Sequence, residues 1–509
     1  MFEINGDNLT IDSVYQLSRK ANDIRLSEVA LNRMQTSRNY IESEIKSGAI
    51  IYGVNTGFGA LSSVHISESD IEQLQWNLIR SHAVGVGDPF SPEETRAIML
   101  LRANTLARGH SGVRPIVVQK ILEFLKHDVL PVIPQKGSLG ASGDLAPLAH
   151  LALGLIGEGR AWDGDKVVNT GELLKKNKIE PLRLLSKEGL SLINGCQVMT
   201  AVGLLSCYKA RELTLISDIV GAMSIEALRG SRSPFDPLIS ETRPHLGEKK
   251  TARNLRRLLG AESKISMSHE DCDRVQDAYS LRCIPAVHGA VKDTLRRAIE
   301  VLETEANSST DNPLVFASDK KVLSCGNFHG EPVAFQMDFL AVAFNALANI
   351  SQCRISRLIN PTFSSLPAFL TTQGGLNSGL MIVEVSAASL VSENKIYAHP
   401  ASVDSIPTSV DKEDHVSMGT IAARKFKLIL ENVELVLSME MLSSMQALSL
   451  LAPLTPTAGV KKAFDELRVD VPLIEKDRIF SDDIMRIGAQ IKSGQLLKRV
   501  SEEVGELEW

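Results

Sequence analysis

From about residue 197 onward, apolar residues return at steps of three and four over five long stretches, 197–229, 285–306, 331–358, 378–397 and 416–451. Each predicts an α-helix, and none carries an internal proline beyond its first turn. In the last stretch Phe426, Ile429, Val433 and Val436 fall on one face, the stripe a helix buries against neighbours. At ~1.5 Å per residue that helix reaches about 50 Å, a length suited to an extended bundle and too great for a small domain. The amino-terminal part is looser. Alternation around Asn5-Gly6-Asp7 predicts a small hairpin before a helix starting near Asp12. Ser91-Pro92-Glu93-Glu94 supplies an N-cap, a first-turn proline and a glutamate at the third helical position, which predicts a helix running toward Gly109. Little else reads as strand.

The pattern therefore predicts a mainly α protein in three stretches: a loop-rich helical part over 1–200, a central long-helix bundle over 201–452, and a helical tail over 453–509, opened by Pro453-Leu454-Thr455-Pro456. Apolar stripes on such helices belong to a core or a subunit interface rather than to a cofactor. Between them lie loops dense in glycine, proline and polar residues, Tyr52–Gly59, Gly137–Asp144, Gln276–Pro285, Ser309–Pro332 and His399–Ser417. Loops on a rigid scaffold are where chemistry concentrates.

Composition narrows the partners. The 509 residues are 44% hydrophobic and 23% charged, with a formal net charge of -6, values ordinary for a globular protein that buries a large core. The basic residues are scattered, which predicts no nucleic-acid partner. The opening MFEINGDNLTIDSVY lacks the basic and apolar blocks of a signal peptide, and no uninterrupted apolar run reaches about 18 residues, so a cytoplasmic chain without a membrane anchor is expected. Six cysteines without a CxxC pair predict reduced thiols rather than a disulfide framework or a zinc cluster. Asn8-Leu9-Thr10 and Asn307-Ser308-Ser309 match a glycosylation pattern that means nothing without secretion.

The most informative loop runs Gly137-Ser138-Leu139-Gly140-Ala141-Ser142-Gly143-Asp144 into Leu145-Ala146-Pro147-Leu148-Ala149-His150. It is not a phosphate loop, because no lysine follows its last glycine and no β-branched strand precedes it. Taken alone it is a glycine turn capped by Asp144 ahead of an apolar helix that begins at Leu145. Its residue types also suit a backbone cyclisation: glycine leaves room for close backbone approach, alanine is small, and serine carries a hydroxyl that can leave.

Ala141-Ser142-Gly143 in this setting resembles the triad of the aromatic amino acid ammonia-lyases. The resemblance extends along nearly the whole chain through Tyr52-Gly53-Val54-Asn55-Thr56-Gly57-Phe58-Gly59, Ser81-His82, Asn194-Gly195, Gln276-Asp277-Ala278-Tyr279-Ser280-Leu281-Arg282-Cys283, Asp311-Asn312-Pro313, Gly326-Asn327-Phe328-His329 and Glu413-Asp414-His415. It implies the helical bundle shared with aspartases and fumarases, assembled as a homotetramer whose sites draw loops from three subunits. It also implies a self-made 4-methylidene-imidazol-5-one: the Gly143 nitrogen attacks the Ala141 carbonyl, and loss of two waters turns Ser142 into a dehydroalanine. No metal, nucleotide or other external cofactor is implied.

Roles carry over position by position. Tyr52 corresponds to the base for the substrate β-proton and Arg282 to the carboxylate anchor, a task suited to a planar fork of donors. Asn194 corresponds to the partner of the imidazolone oxygen, Gln276 and Tyr279 to residues lining the prosthetic group and substrate, and Phe328 to an aromatic wall. Glu413 corresponds to a carboxylate beside the substrate amino group and ring. By position it also reads as a charge at the amino end of the longest helix, starting at Val416. Cys196 departs from the threonine that relatives place after Asn-Gly.

The chemistry implied is non-oxidative loss of ammonia from L-histidine to give trans-urocanate, the first step of histidine degradation. Ser81-His82 and Glu413 match the histidine-specific branch, because polar side chains satisfy an imidazole and reject a phenyl ring. The alternative is a tyrosine or phenylalanine lyase or aminomutase with the same group. A silent helical scaffold has no need of the triad together with Tyr52, Asn194, Tyr279, Arg282 and Glu413, and fumarase-like chemistry needs no cyclised triad.

Overall fold

A computed structural model describes residues 1–21, 23–260, 262–270 and 274–509. The fold is mainly helical. The five long stretches appear as helices Gln197–Ala227, Ile284–Ala306, Glu331–Ile359, Met381–Tyr397 and Gly419–Leu450, each within a few residues of its expected ends. Phe426, Ile429, Val433 and Val436 are all fully buried, as the apolar stripe requires. The Glu331–Ile359 helix is long and apolar enough to cross a membrane by composition, yet 56% of its most apolar window is buried within the protein.

One compact unit comprises residues 1–208, 298–338 and 400–424. At its centre the Pro92–Ala107 helix begins with the expected capping box, Ser91 and Glu94 satisfying each other's backbone amides. Thirteen of its residues are buried, Arg102, Asn104 and Thr105 among them, so it is a core helix that carries polar groups inside. The Ile11–Arg19, Glu28–Lys46 and Pro115–Lys126 helices pack against it, while Ile71–His82, Leu145–Leu155 and Glu188–Ile193 pack on one another.

The first residues do not form a hairpin. Phe2–Ile4 pairs in parallel with Ile24–Leu26, and the Ile11–Arg19 helix lies between them in the chain. Asn5-Gly6 turns away because the Gly6 amide donates to the buried Asn104 side chain at 3.0 Å, a distant partner invisible in local alternation. Short strands are also more numerous than the sequence pattern predicts. Val86–Pro89 pairs with Pro134–Lys136, Arg160–Asp163 lies between Leu130–Pro131 and Lys166–Asn169, and Leu314–Phe316 pairs with Lys321–Leu323. With two to four residues each, they are too short to show a period of two.

A second unit comprises residues 209–297, 339–399 and 425–509. It contains the Leu246–Leu259 helix and the tail helices Ala458–Arg468, Phe480–Lys492 and Gln495–Val504. Its interior holds ion pairs: Arg354 grips Glu440 through Nε and Nη2 at 2.5 and 2.9 Å, and Asp218 accepts from His288 and Lys292.

Candidate active site

The Ala141-Ser142-Gly143 turn is held from two sides within the first unit. On one side Gly143 bridges Gly195 in parallel fashion, the Asp144 amide donates to the Gly195 carbonyl at 2.8 Å, and Asn194 Nδ2 donates to the Ser142 carbonyl at 2.9 Å. On the other side the Met418 amide donates to the Leu139 carbonyl at 2.8 Å and Ser417 Oγ to the Gly140 carbonyl at 3.1 Å. Gly143 has φ +71°, and a Cβ there would overlap the Gly195 carbonyl. Only glycine permits this approach.

Asp144 does not cap its own helix through its side chain. Its fully buried carboxylate instead accepts from the Val198 and Met199 amides at 2.9 and 3.0 Å, the unpaired donors at the start of the Gln197–Ala227 helix. Its other oxygen accepts from Ser138 Oγ at 2.9 Å and from Thr420 Oγ1. Burial raises the Asp144 carboxyl above its usual range, and these four donors work against that shift. One side chain thus ties the turn to the first residues of two long helices.

Ser142 Oγ donates to Glu413 Oε1 at 2.7 Å, and Thr408 Oγ1 donates to Glu413 Oε2 at 2.9 Å. Glu413 lies in a β-bridge with Thr408. The long helix starts at Gly419 rather than Val416, because Ser417 and Met418 bond the triad loop instead, so Glu413 stands outside its first turn. His82 ends the Ile71–His82 helix and is half-buried. Burial lowers its imidazole pKa, opposed by the bond to the Leu78 carbonyl and by the charge of Glu413. Its Nδ1 lies 2.9 Å from that carbonyl. A carbonyl can only accept, so Nδ1 carries the hydrogen and Nε2 is left as an acceptor.

Tyr52 and Phe328 are half-buried in the same unit. The Tyr52 hydroxyl accepts from the Gly59 amide at 3.1 Å, which closes the glycine loop around it. The Phe328 carbonyl accepts from the Cys196 thiol at 3.0 Å. Gln276, Tyr279 and Arg282 form their own group in the second unit, around a cavity of about 680 Å³. There the Arg282 guanidinium stacks 4.6 Å from the Tyr279 ring centre, and its buried Nε has no hydrogen-bond partner among the described residues. Gln276 and Arg282 also line a second cavity of about 840 Å³, in which Arg229, Arg232 and Arg274 stand among Glu262, Glu270 and Asp277.

This geometry brings a serine hydroxyl, a carboxylate and an amide donor together at one turn. A model of the family described as aromatic amino acid lyase matches residues 9–469. The chain belongs to the aromatic amino acid lyase family. Within that family it is 49% identical over 500 residues to a histidine ammonia-lyase of Caldanaerobacter subterraneus subsp. tengcongensis, covering 98% of each chain. The crystal structure of histidine ammonia-lyase from Trypanosoma cruzi superposes with a TM-score of 0.92 at 43% identity, over 99% of this chain and 95% of that one. A tyrosine aminomutase from Streptomyces globisporus gives a TM-score of 0.94 at 37% identity over the whole of both chains. This lyase shares its architecture with enzymes of more than one outcome.

Several residues of the site escape a sequence reading. Arg102, Thr408, Ser417 and Thr420 reach it only through the fold, and the buried Cys196 interacts with Glu305, more than a hundred positions away. The available signal was polarity inside a core helix: Arg102, Asn104 and Thr105 leave the Pro92–Ala107 helix with no polar face to turn to solvent. His329, Glu331 and His415 offer ligand atoms within 4.8 Å of one another, a spacing able to hold a metal ion, and the two imidazoles stack with centroids 5.6 Å apart.

Proposed function

We propose that this lyase removes ammonia from L-histidine to give trans-urocanate, using a 4-methylidene-imidazol-5-one made from Ala141-Ser142-Gly143. The observation that carries the reading is the pairing of Ser142 with Asn194 on its carbonyl and Glu413 on its hydroxyl. The residues present fit such a group. Gly143 packs where no Cβ is tolerated, and the buried Asn194 Oδ1 has no hydrogen-bond partner among the described residues, an acceptor left unmet beside Ser142. When formed, the group supplies an electrophile that takes up electron density from the substrate.

The surrounding side chains do the rest. Asn194 Nδ2 holds the carbonyl oxygen of residue 142 in place. Glu413 Oε1 loses its donor when the Ser142 hydroxyl departs, and the freed carboxylate meets the substrate ammonium or ring N–H. His82 Nε2, an acceptor by its tautomer, takes the single ring N–H of the substrate, directly or through a bridging water, when Glu413 meets the ammonium. Tyr52 removes the β-proton through its phenolic oxygen, Arg282 binds the substrate carboxylate with its fork, and Gln276, Tyr279 and Phe328 line the remaining surface. The enzyme works as a cytoplasmic homotetramer with sites assembled from three copies of the chain. Support for self-association comes from exposed Val342, Ile382, Val385 and Ile396, which are 53, 62, 56 and 72% accessible, apolar surface that favours a partner.

The test of the prosthetic group is the intact mass of the purified enzyme. The expected mass is two waters below that of the sequence, with a near-ultraviolet band that disappears in Ser142→Ala. An unmodified mass in active protein overturns the reading.

A further inference from the structure

We propose that Arg102 is a positioning residue for the self-cyclisation of Ala141-Ser142-Gly143, an inference that rests on the reading that these residues cyclise. Arg102 sits in the middle of the Pro92–Ala107 helix and is fully buried. Its Nη1 donates to the Asn194 carbonyl at 2.9 Å and to Gln197 Oε1, and its Nη2 donates to the Ser191 carbonyl. The Ser191 and Asn194 carbonyls are unpaired acceptors at the end of the Glu188–Ile193 helix. Gln197 is itself fixed, because its Nε2 donates to Thr105 and Thr310 hydroxyls at 3.0 and 2.7 Å.

The guanidinium also fills the space beside Gly195, where φ is +147° and a Cβ would stand 2.7 Å from Nη1. It therefore fixes the path of Asn194-Gly195 from beneath. That dipeptide is the same one that bridges Gly143, accepts the Asp144 amide and donates to the Ser142 carbonyl. Arg102 thus reaches all three positions Ser142, Gly143 and Asp144 through a single rigid turn. Ring closure needs the Gly143 nitrogen held against the Ala141 carbonyl carbon, and rates of such reactions depend steeply on placement.

The contrast with Arg354 marks what Arg102 is for. Arg354 is also fully buried, but it pairs with the Glu440 carboxylate through two nitrogens and is neutralised by it. Among the described residues Arg102 grips no carboxylate; it donates to two backbone carbonyls and one amide oxygen. Burial lowers its pKa to about 10, with the charge of Asp311 opposing the shift. Asp311 is bonded instead to Lys187 at 3.1 Å. A planar fork that holds backbone oxygens gives geometry rather than charge balance.

The test compares intact masses of freshly purified wild type, Arg102→Met, Arg102→Lys and Arg354→Met, with circular dichroism and urea unfolding on each. Wild type and Arg354→Met are expected to lack two waters in essentially every molecule. Arg102→Met is expected to keep helical content but to be cyclised in less than about a tenth of molecules. Arg102→Lys, which retains one charged donor group, is expected to cyclise slowly, its fraction rising over days. Complete cyclisation of helical Arg102→Met overturns the proposal. So does Arg102→Lys cyclising as fast as wild type, the deciding result if the methionine variant does not fold. An equal defect in Arg354→Met overturns it as well, since loss of cyclisation would then report general destabilisation. A wild type with no mass deficit removes the cyclisation reading itself, whatever the Arg102 variants show.

Discussion

Replacing Asp144 isolates the contribution of the tie beneath the triad. In Asp144→Ala four donors lose their acceptor: the Val198 and Met199 amides, Ser138 Oγ and Thr420 Oγ1. The two hydroxyls stand 3.2 Å apart and can bond each other, so little is lost there. The two amides are fixed by the helix and cannot turn. An orphaned buried donor costs about 1–3 kcal/mol, which gives roughly 4 kcal/mol for the pair, against total stabilities of about 5–15 kcal/mol for ordinary domains. Part of that is offset because burial already disfavours the carboxylate, as the raised Asp144 pKa records. Asp144→Asn keeps one oxygen for both amides and presents an NH2 to two hydroxyls that can accept, so its cost is about 1 kcal/mol. Hydrogen exchange of peptides covering Val198–Thr200 reads the effect locally. At about 1.4 kcal/mol per decade, and with that offset taken off, exchange is expected about two decades faster in Asp144→Ala and less than about one decade faster in Asp144→Asn. Unchanged protection in the alanine variant would refute the role given to the carboxylate.

Glu305 gives a pH dependence with a defined sign: burial, with the nearby charge of Asp144, raises its pKa to about 7, while the Cys196 thiol opposes the shift. A carboxyl that binds its proton more tightly when folded stabilises below the unfolded value near 4.5 and loses that stability as pH rises toward 7. The loss is on the order of 3 kcal/mol, so urea midpoints of wild type are expected to fall relative to Glu305→Gln between pH 5 and pH 8, and parallel curves would remove Glu305 as the cause. Arg282→Ala is expected to raise KM by two to four decades, since losing one partner of a desolvated ion pair costs about 3–5 kcal/mol; a KM within a factor of three of wild type places the carboxylate elsewhere. Tyr52→Phe is expected to leave substrate binding nearly intact while abolishing most of kcat, and retention of most turnover would assign the base to another group.

Helix positions were legible in the sequence wherever a stripe ran for several turns, as Phe426, Ile429, Val433 and Val436 did. Features set by distant partners were not. The expected hairpin at Asn5-Gly6-Asp7 gave way to a parallel pair because Gly6 bonds Asn104, 98 positions away. The longest helix starts three residues after Val416 because Ser417 and Met418 serve the triad loop instead. Asp144 reads locally as the cap of the helix that follows it, yet caps a different helix more than fifty positions on. In the candidate site the motifs named Ser142, Asn194 and Glu413, and the fold bonds Ser142 directly to each of the other two. Arg102 and Glu305 carry no motif, because their function lies in buried contacts across about ninety to more than a hundred positions of chain.

Substrate choice is the claim most open to direct measurement. On the proposed reading His82 and Glu413 present polar groups to the ring of the substrate, and a site built to hydrogen-bond rejects an analogue that cannot answer, because its buried groups are left unpaired. The measurement is kcat/KM of the wild-type enzyme for L-histidine, L-tyrosine and L-phenylalanine, with the products identified. Urocanate and ammonia are expected from histidine at least about a hundredfold more efficiently than any product from the other two. Faster turnover of tyrosine than of histidine, or a β-amino acid as the main product, would contradict that expectation.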